Sequence, residues 1–391
     1  MTPFVALKDC CTVVGGATPK REIPENWGND VPWVTPKDIS KLSGPYLDDA
    51  PEYISSTGFE SCATYLLPAN SILLTSRAPI GNVAIAKREM CTNQGFKSLV
   101  PGDKVNYLYL YYCVRYLSPK LQSLGNGATF KEVNKKTVEE FKIPLPPVEE
   151  QKRIAAILDK ADAVRRKRQQ AIELADQFLQ SVFLDMFGDP VTNPKGWETR
   201  KISDLGEIIT GNTPSRKEKA FYGDFIEWIK SDNINTPSHF LTTAEEFLSE
   251  EGSKVGRIAT KGSLLVTCIA GSKDCIGNSA IADRDVAFNQ QINALIPHDK
   301  EDLFFLYAQI AHHKKLVQRA STEGMKGLVS KSKFSGILMI YPDKNLRKRF
   351  GNILEQTLTS SRKRKDAHEK ADCLFTSLSQ QAFKGELTNA A

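Results

Sequence analysis

Two sets of basic and amide side chains gather in corresponding stretches of the two halves of the 391-residue sequence. The first comprises Lys20, Arg21, Lys37, Arg77, Asn82, Lys87, Arg88, Asn93, Gln94, Lys97, Lys131, Asn134, Lys135 and Lys136. The second comprises Arg216, Lys217, Lys230, Asn233, Lys273, Asn278, Arg284, Asn289, Gln290, Lys326, Lys331 and Lys333. Lysine and arginine anchor phosphates, while arginine, asparagine and glutamine reach guanine and adenine edges through paired hydrogen bonds. The chemistry open to these types is recognition of duplex DNA, with no bond made or broken. Any one such lysine is also ordinary solvated surface, and Asn93-Gln94 and Asn289-Gln290 have a second possible use in stitching backbone between strands. Residue type alone leaves both uses open.

Groups for covalent chemistry are sparse. No Gly-x-x-x-x-Gly-Lys-Ser/Thr loop occurs, and no Gly-x-Gly-x-x-Gly follows a strand, which argues against nucleotide-driven chemistry. The Asn/Asp-Pro-Pro-Tyr/Phe cluster of amino-methyltransferases is absent, because the Pro146-Pro147 pair follows Leu145. Pro342-Asp343 lacks the acid-x-Lys that a nuclease metal site needs. The five histidines (239, 298, 312, 313 and 368) all lie in the second half, so no histidine-dependent site is duplicated. Asp48-Asp49 and Glu245-Glu246 read as surface carboxylates. Eight cysteines without a Cys-x-x-Cys pair suggest free thiols, neither a disulfide framework nor structural zinc. No catalytic, metal-binding or cofactor-binding residue is expected in this chain.

Composition agrees with a binding protein. Lys and Arg total 52 against 46 Asp and Glu, a net +6, and 41% hydrophobic content is that of a soluble globular chain. Lys8 and Asp9 interrupt any apolar leader, and no run approaches the ~18 apolar residues of a membrane span, so the expected location is cytoplasmic.

The elements that must position these side chains are set by an internal repeat offset by 195 to 196 residues. Gly16-Ala17-Thr18-Pro19 answers to Gly211-Asn212-Thr213-Pro214, and Trp33 before Asp38-Ile39 answers to Trp228 before Asn233-Ile234. Ile80-Gly81-Asn82 is matched by Ile276-Gly277-Asn278, Asn93-Gln94 by Asn289-Gln290, and Leu110-Tyr111 by Leu306-Tyr307. Each repeat opens with short β-branched runs between Gly and Pro turns, such as Ser71 to Thr75 and Ser263 to Thr267, and carries a helix near Tyr107 to Leu117 or Leu303 to Leu316. Between the matched parts the loops differ: Arg77-Ala78-Pro79 stands where the second half has the longer Ile269 to Cys275 segment. Equal scaffolds with unequal loops predict two different half-sites in a bipartite, asymmetric target.

Past Pro144-Leu145-Pro146-Pro147 the period changes to that of one long helix, about Val148 to Phe187, stopped by Gly188 and Pro190. Ile154, Ala161, Arg168, Ala175 and Val182 fall seven apart, and Ile157, Val164, Ala171 and Phe178 form a second seam, widened by Leu158, Ile172, Leu179 and Phe183. A copy begins at Phe350, with Thr357, Arg364, Ala371 and Leu378 beside Ile353, Ser360, Ala367 and Leu374. Each helix would be ~50 Å long at ~1.5 Å per residue, and neither buries its stripe alone. The expected fold class is α+β: two mostly-β heads separated by two long antiparallel coiled-coil helices, with a pseudo-two-fold internal repeat. The expected boundaries are 1–147, 148–188, 189–344 and 345–391.

The run PLPPVEEQKRIAAILDKADAVRRKRQQAIELADQFLQSVFLDMFGDP, residues 144 to 190, resembles the central helical region of specificity (S) subunits of type I restriction-modification systems. The head markers Thr-Pro, Trp-x-x-x-x-Asp/Asn-Ile, Gly-Asn-x-Ala-Ile and Asn-Gln are similar to those of their target recognition domains, and the likeness covers essentially the whole chain. The resemblance implies a non-catalytic DNA reader, one copy per complex, that docks two modification subunits and, for cleavage, restriction subunits. It places S-adenosylmethionine and N6-adenine methylation in the modification subunit, and ATP with Mg in the restriction subunit. It implies subunit docking through Ile154, Ile157, Leu158, Phe178 and Phe183 on the first helix and Phe350, Ile353, Leu354, Leu374 and Leu378 on the second. Arg165 to Arg168 and Arg362 to Lys365 would face the DNA backbone or an acidic partner, or simply solvent. The competing reading is a self-sufficient DNA methyltransferase or nuclease with an unfamiliar site.

Overall fold

A computed structural model describes residues 2–77, 79–126, 131–322 and 327–387. The chain divides into two compact units, residues 1–170 with 365–391, and residues 171–364. This partition differs from the four consecutive segments expected from the sequence, because the long helices Val148–Phe187 and Lys344–Lys384 are each shared between both units.

In the first unit, a five-stranded sheet runs in the order Cys11–Gly15, Lys97–Pro101, Ile72–Leu74, Val83–Ala86, Tyr46–Leu47. A three-stranded sheet places Trp27–Val34 between Glu52–Ile54 and Cys91–Thr92. Ile72-Leu73-Leu74 has no polar residue because the strand is buried on both faces: Ile72 and Leu74 enter the core that holds the helices, and Leu73 points the other way into a second core with Val34 and Phe96. Strand alternation thus lets one short run serve two cores.

The second unit repeats the plan. Its sheet runs Gly206–Thr210, Ile292–Pro297, Leu264–Thr267, Ser279–Ile281, and Leu264 and Val266 face one core while Leu265 faces another. The strand Tyr222–Ile229 bulges between Tyr222 and Ile226, as Trp27–Val34 bulges between Trp27 and Val31. Trp228 pairs in parallel register with Ala287, as Trp33 does with Cys91. A pair with no expected counterpart, Ile269–Ala270 with Gly327–Leu328, sits where the loops of the two heads differ in length.

The head helices depart from their expected limits. The first extends over Tyr107–Ser123, started by Asn106, whose side chain accepts from the amides of Leu108 and Tyr109. The second stops at His312, because His313 leaves helical geometry (φ −132°, ψ 59°), and a separate turn Lys315–Gln318 follows.

The long helices bury a stripe on the heads as well as pairing with each other. Ala175, Leu179, Phe183 and Phe187, spaced by four, line the second unit's interior with Phe350, Leu354 and Leu358. Ile154, Ala155 and Leu158 do the same in the first unit beside Ala382 and Phe383. Each such Leu or Phe stabilises its unit by about 1.5–3 kcal/mol through burial. Within the first unit Arg165 meets Asp372 at 3.5 Å and Arg168 donates to the Ala367 carbonyl at 2.6 Å, so the two helical pieces run antiparallel. Arg364 donating to the Ala171 carbonyl, with Phe183 packed edge-on to Phe350, shows the same sense in the second.

Candidate nucleic-acid interface

Each head carries the same arginine stack. Arg21 lies 3.9 Å from the Trp27 ring and 5.0 Å from Trp33, and its Nη1 meets Glu52 at 2.8 Å. Arg216 lies 4.6 Å from Tyr222 and 5.0 Å from Trp228, and meets Glu246 at 2.6 Å. The aromatic platform is fixed by the fold: the Trp33 indole donates to the Ala17 carbonyl and that of Trp228 to the Asn212 carbonyl. Hydrogen bonding to the guanidinium holds Glu52 and Glu246 below the usual carboxylate range, and Lys230 adds to this at Glu246. Arg21, Arg216 and Lys230 therefore have partners of their own within the heads.

The amide residues expected to read bases have hydrogen-bond partners within their own heads. The Asn93 side chain accepts from the Gly95 amide at 2.8 Å, and Asn289, only 7% exposed, accepts from the Gln291 amide at 3.1 Å. Gln94 is bonded to Thr18, and Gln290 to Thr213. Asn233 accepts from the Lys230 amide and donates to the Thr243 carbonyl, and Asn278 donates to Asn235. Asn82 donates to Ser40, and Asn134 caps the helix Lys135–Glu139. An amide that closes a turn has few donors and acceptors left for a base edge.

Charge pairing divides the cations further. Arg77 and Lys97 converge on Glu132, at 3.0 and 3.6 Å; Lys87 pairs with Asp48, Arg88 with Asp49 and Lys135 with Glu139. Arg284 is bonded to Glu227 and Asp283. Lys20, Lys37, Lys131 and Lys136 in the first unit, and Lys217, Lys273, Lys331 and Lys333 in the second, are exposed and have no ion-pair partner among the described residues. Lys326 lies outside the described residues.

Two matching short helices open on lysines, of which Lys135 is paired with Glu139 and the others have no ion-pair partner among the described residues. Lys135 and Lys136 open the short helix Lys135–Glu139, and Lys331 and Lys333 the matching helix Lys331–Ser335. Cations in a first turn sit at the positive end of the helix dipole and do not stabilise their own helix.

The residues expected to dock subunits fall into three groups. Ile154, Leu158, Phe183, Phe350 and Leu354 are buried in the unit cores and, as placed, offer nothing to a partner, which corrects that expectation: a stripe that looks unpartnered along one helix is covered by the head. Ile157, Ile353 and Leu378 are half-buried, while Phe178 and Leu374 are more than half exposed. Val164, placed in the same seam as Phe178, is also exposed.

Sequence reasoning missed a cluster of three arginines around one buried acid, Asp162, in the first unit. Its signal was present: Ile154, Leu158 and Asp162 share the buried stripe, and arginines follow the acid at i+3 and i+4. Among the described residues no group of three or more His, Cys, Asp or Glu could hold a metal, all eight cysteines are free, and no helix is long and apolar enough to cross a membrane.

Comparison with known proteins gives a consistent result. The family model described as the type I restriction modification DNA specificity domain matches residues 3–174 and 194–367, once in each half. The specificity subunit of the type I restriction enzyme MjaIX from Methanocaldococcus jannaschii is 34% identical over 245 residues, 58% of this chain and 57% of that protein. The HindI specificity subunit from Haemophilus influenzae is 34% identical over 200 residues, 47% of this chain and 41% of that one. The chain thus spans about half the length of these curated relatives. Among solved structures, the S subunit of a type I restriction-modification system from M. genitalium superposes with a TM-score of 0.64 at 14% identity, over 97% of this chain and 96% of that one, a likeness of fold.

Proposed function

Since the chain belongs to the type I restriction-modification DNA specificity family, we propose that it reads a bipartite, asymmetric duplex DNA sequence, one half-site per head. The observation that carries this reading is the pair of equal scaffolds with unequal surfaces. The arginine stack, the Thr–Gln bond and the Trp–carbonyl bond recur in both heads, while the segment after Thr75 and Thr267 differs: a single Arg77–Glu132 bridge is seen among the described residues of the first head, where the second pairs Ile269–Ala270 with Gly327–Leu328. A shared frame holds register, and the loops that differ supply discrimination.

On this reading Lys131, Lys136, Lys331 and Lys333, which have no ion-pair partner among the described residues, meet backbone phosphates. The chain itself is a recognition subunit with no cofactor, one copy per complex, working in the cytoplasm. It docks two modification subunits, which bring S-adenosylmethionine and methylate adenine N6, and restriction subunits, which bring ATP and Mg. The exposed Phe178 and Leu374, more than half open to solvent, are the apolar groups of the long helices best placed to meet a protein partner.

Exchange of residues 1–147 for those of a relative tests the central claim. Methylated adenines mapped in a host carrying the cognate modification subunit should change in one half-site and stay fixed in the other. Unchanged sites, or loss of both, would sink the one-head-one-half-site reading.

A further inference from the structure

Asp162 is 1% exposed and receives hydrogen bonds from three arginines: Arg115 at 3.2 Å, Arg165 at 2.8 Å and Arg166 at 2.8 Å. Burial would raise its carboxyl, yet the surrounding guanidiniums hold it below the usual range, so it stays charged. Arg165 also reaches Asp372 at 3.5 Å. Within 4 Å, two carboxylates stand against three guanidiniums among the described residues, an excess of one positive charge at that range, and the next acid, Asp159, accepts from the Tyr112 hydroxyl.

That excess faces a cavity of ≈ 350 Å³ lined by Ser40, Ser43, Asn82, Ser118, Arg115 and Arg166. The donors still available there can be named. Arg166 donates Nε to Asp162, and its Nη atoms make no hydrogen bond among the described residues; its Nη1 rests against Gly44, 3.2 Å from where a Cβ would stand. Ser40 and Ser118 donate their hydroxyl protons to the carbonyls of Pro36 and Gly81, whereas Asn82 gives one amide proton to Ser40 and keeps the other. Forked guanidinium donors and an amide proton, arriving from different walls, suit a tetrahedral oxyanion better than a planar carboxylate.

The repeat supplies an internal control. The positions 196 residues on from Arg115, Asp162 and Arg165 hold Ala311, Leu358 and Ser361, with Leu358 1% exposed in the core. Only Arg166 keeps its type, as Arg362, which is taken up by Asp283 and the Phe240 ring. Packing a long helix on a head therefore requires no charge at this place. A buried acid ringed by arginines is a costly substitute for leucine unless the arginines have a further use.

We propose that this cavity of the first unit is a phosphate-binding site, with Arg166 and Arg115 as its forked donors and Asp162 holding both in place, for a phosphate group carried by a small phosphorylated anion or by a nucleic-acid backbone. In the second case the site rests on the DNA-reading function; in the first it is independent of it. Pyrophosphate is the probe, titrated into the full chain by calorimetry and ³¹P NMR at fixed ionic strength, beside salt-dependent binding of a duplex bearing the methylated site. Arg166→Gln should weaken pyrophosphate about tenfold, Arg166→Lys should fall between, and Arg362→Gln, an equal loss of charge, should leave it unchanged. If the phosphate belongs to DNA, pyrophosphate will bind weakly and Arg166→Gln, but not Arg362→Gln, will lower the salt slope of duplex binding by about one. Thermal unfolding checks that each variant is folded; Arg166→Lys keeps a cation for Asp162 and carries the test if Arg166→Gln does not fold. Pyrophosphate binding with no sequence-selective duplex binding would keep the site and defeat the DNA reading. Equal effects of Arg166→Gln and Arg362→Gln in both assays, or no effect of either, overturn the site.

Discussion

Arg347 donates Nε to Asp302 at 2.7 Å with both side chains almost wholly buried, 5% and 6% exposed, where the other repeat has Gln151 accepting from the Asn106 amide at 2.8 Å. Gln151 and Arg347 stand 196 residues apart, as do Asn106 and Asp302. Both pairs tie the start of a long helix to the start of a head helix. One unit does so with neutral groups, Gln151 also donating to the carbonyls of Lys104 and Pro146; the other does so with an ion pair that Tyr341 completes through its hydroxyl.

Removing one partner of the buried pair should therefore be severe, and replacing both mild. Arg347→Met should destabilise the second unit by about 3–5 kcal/mol by leaving Asp302 buried without a counter-charge. The double change Arg347→Gln with Asp302→Asn, which imports the neutral solution of the first unit, should recover most of that loss. Urea unfolding of the unaltered chain, Arg347→Gln, Asp302→Asn and the double variant gives the coupling directly, and additive losses would contradict it.

Gly16 and Gly211 begin the repeated Gly-x-Thr-Pro segments, and a Cβ on either would stand 2.1 Å from a carbonyl oxygen, that of Thr92 or Asn289. The obstacle is backbone, which cannot swing aside. Gly211→Ala should cost about 1–3 kcal/mol and unfold the second unit at lower urea, with the first unit unaffected.

The paired and unpaired cations should behave differently toward DNA. Lys136→Ala or Lys333→Ala should weaken duplex binding with little change in stability, and each should lower the slope of log K against log salt by about one, the share of a single neutralised phosphate. Arg216→Ala should instead act on the fold, because it removes the cover of Tyr222 and Trp228 and leaves Glu246 with Lys230 alone. Gel retardation across a salt series, with thermal unfolding in parallel, distinguishes the two.

Acid should loosen the second unit first. Burial, with His239 and His313 nearby, pushes His312 down to about 4 from its ordinary 6.5, so the fold favours the neutral ring. Because the folded value lies below the unfolded one, this stabilisation is complete above pH 6.5 and is lost as pH falls toward 4. The loss amounts to at most about 3 kcal/mol. His312→Leu should flatten the dependence of stability on pH across that window, and an unchanged profile would rule the histidine out as its source.

Periodicity and turn residues, which act over a few neighbours, suffice to establish the repeat, the division into β-rich heads and long helices, and the limits of the first of those helices. Gly16 and Gly211, Trp33 and Trp228, and the caps at Asn106 and Asn134 could all be found by position. What each polar group does was settled only by the folded chain. Asn93 and Asn289 close turns, Arg21 and Arg216 are held by carboxylates about thirty residues away in sequence, and Phe183 and Leu354 are covered by the heads. Whether a side chain is free depends on which groups the fold brings within a few ångströms across sheets and between helices, and that distance is not a property of the local sequence. Asp162 shows this most clearly, as an acid in an apolar stripe whose partner Arg115 comes from a helix 47 residues earlier in the chain.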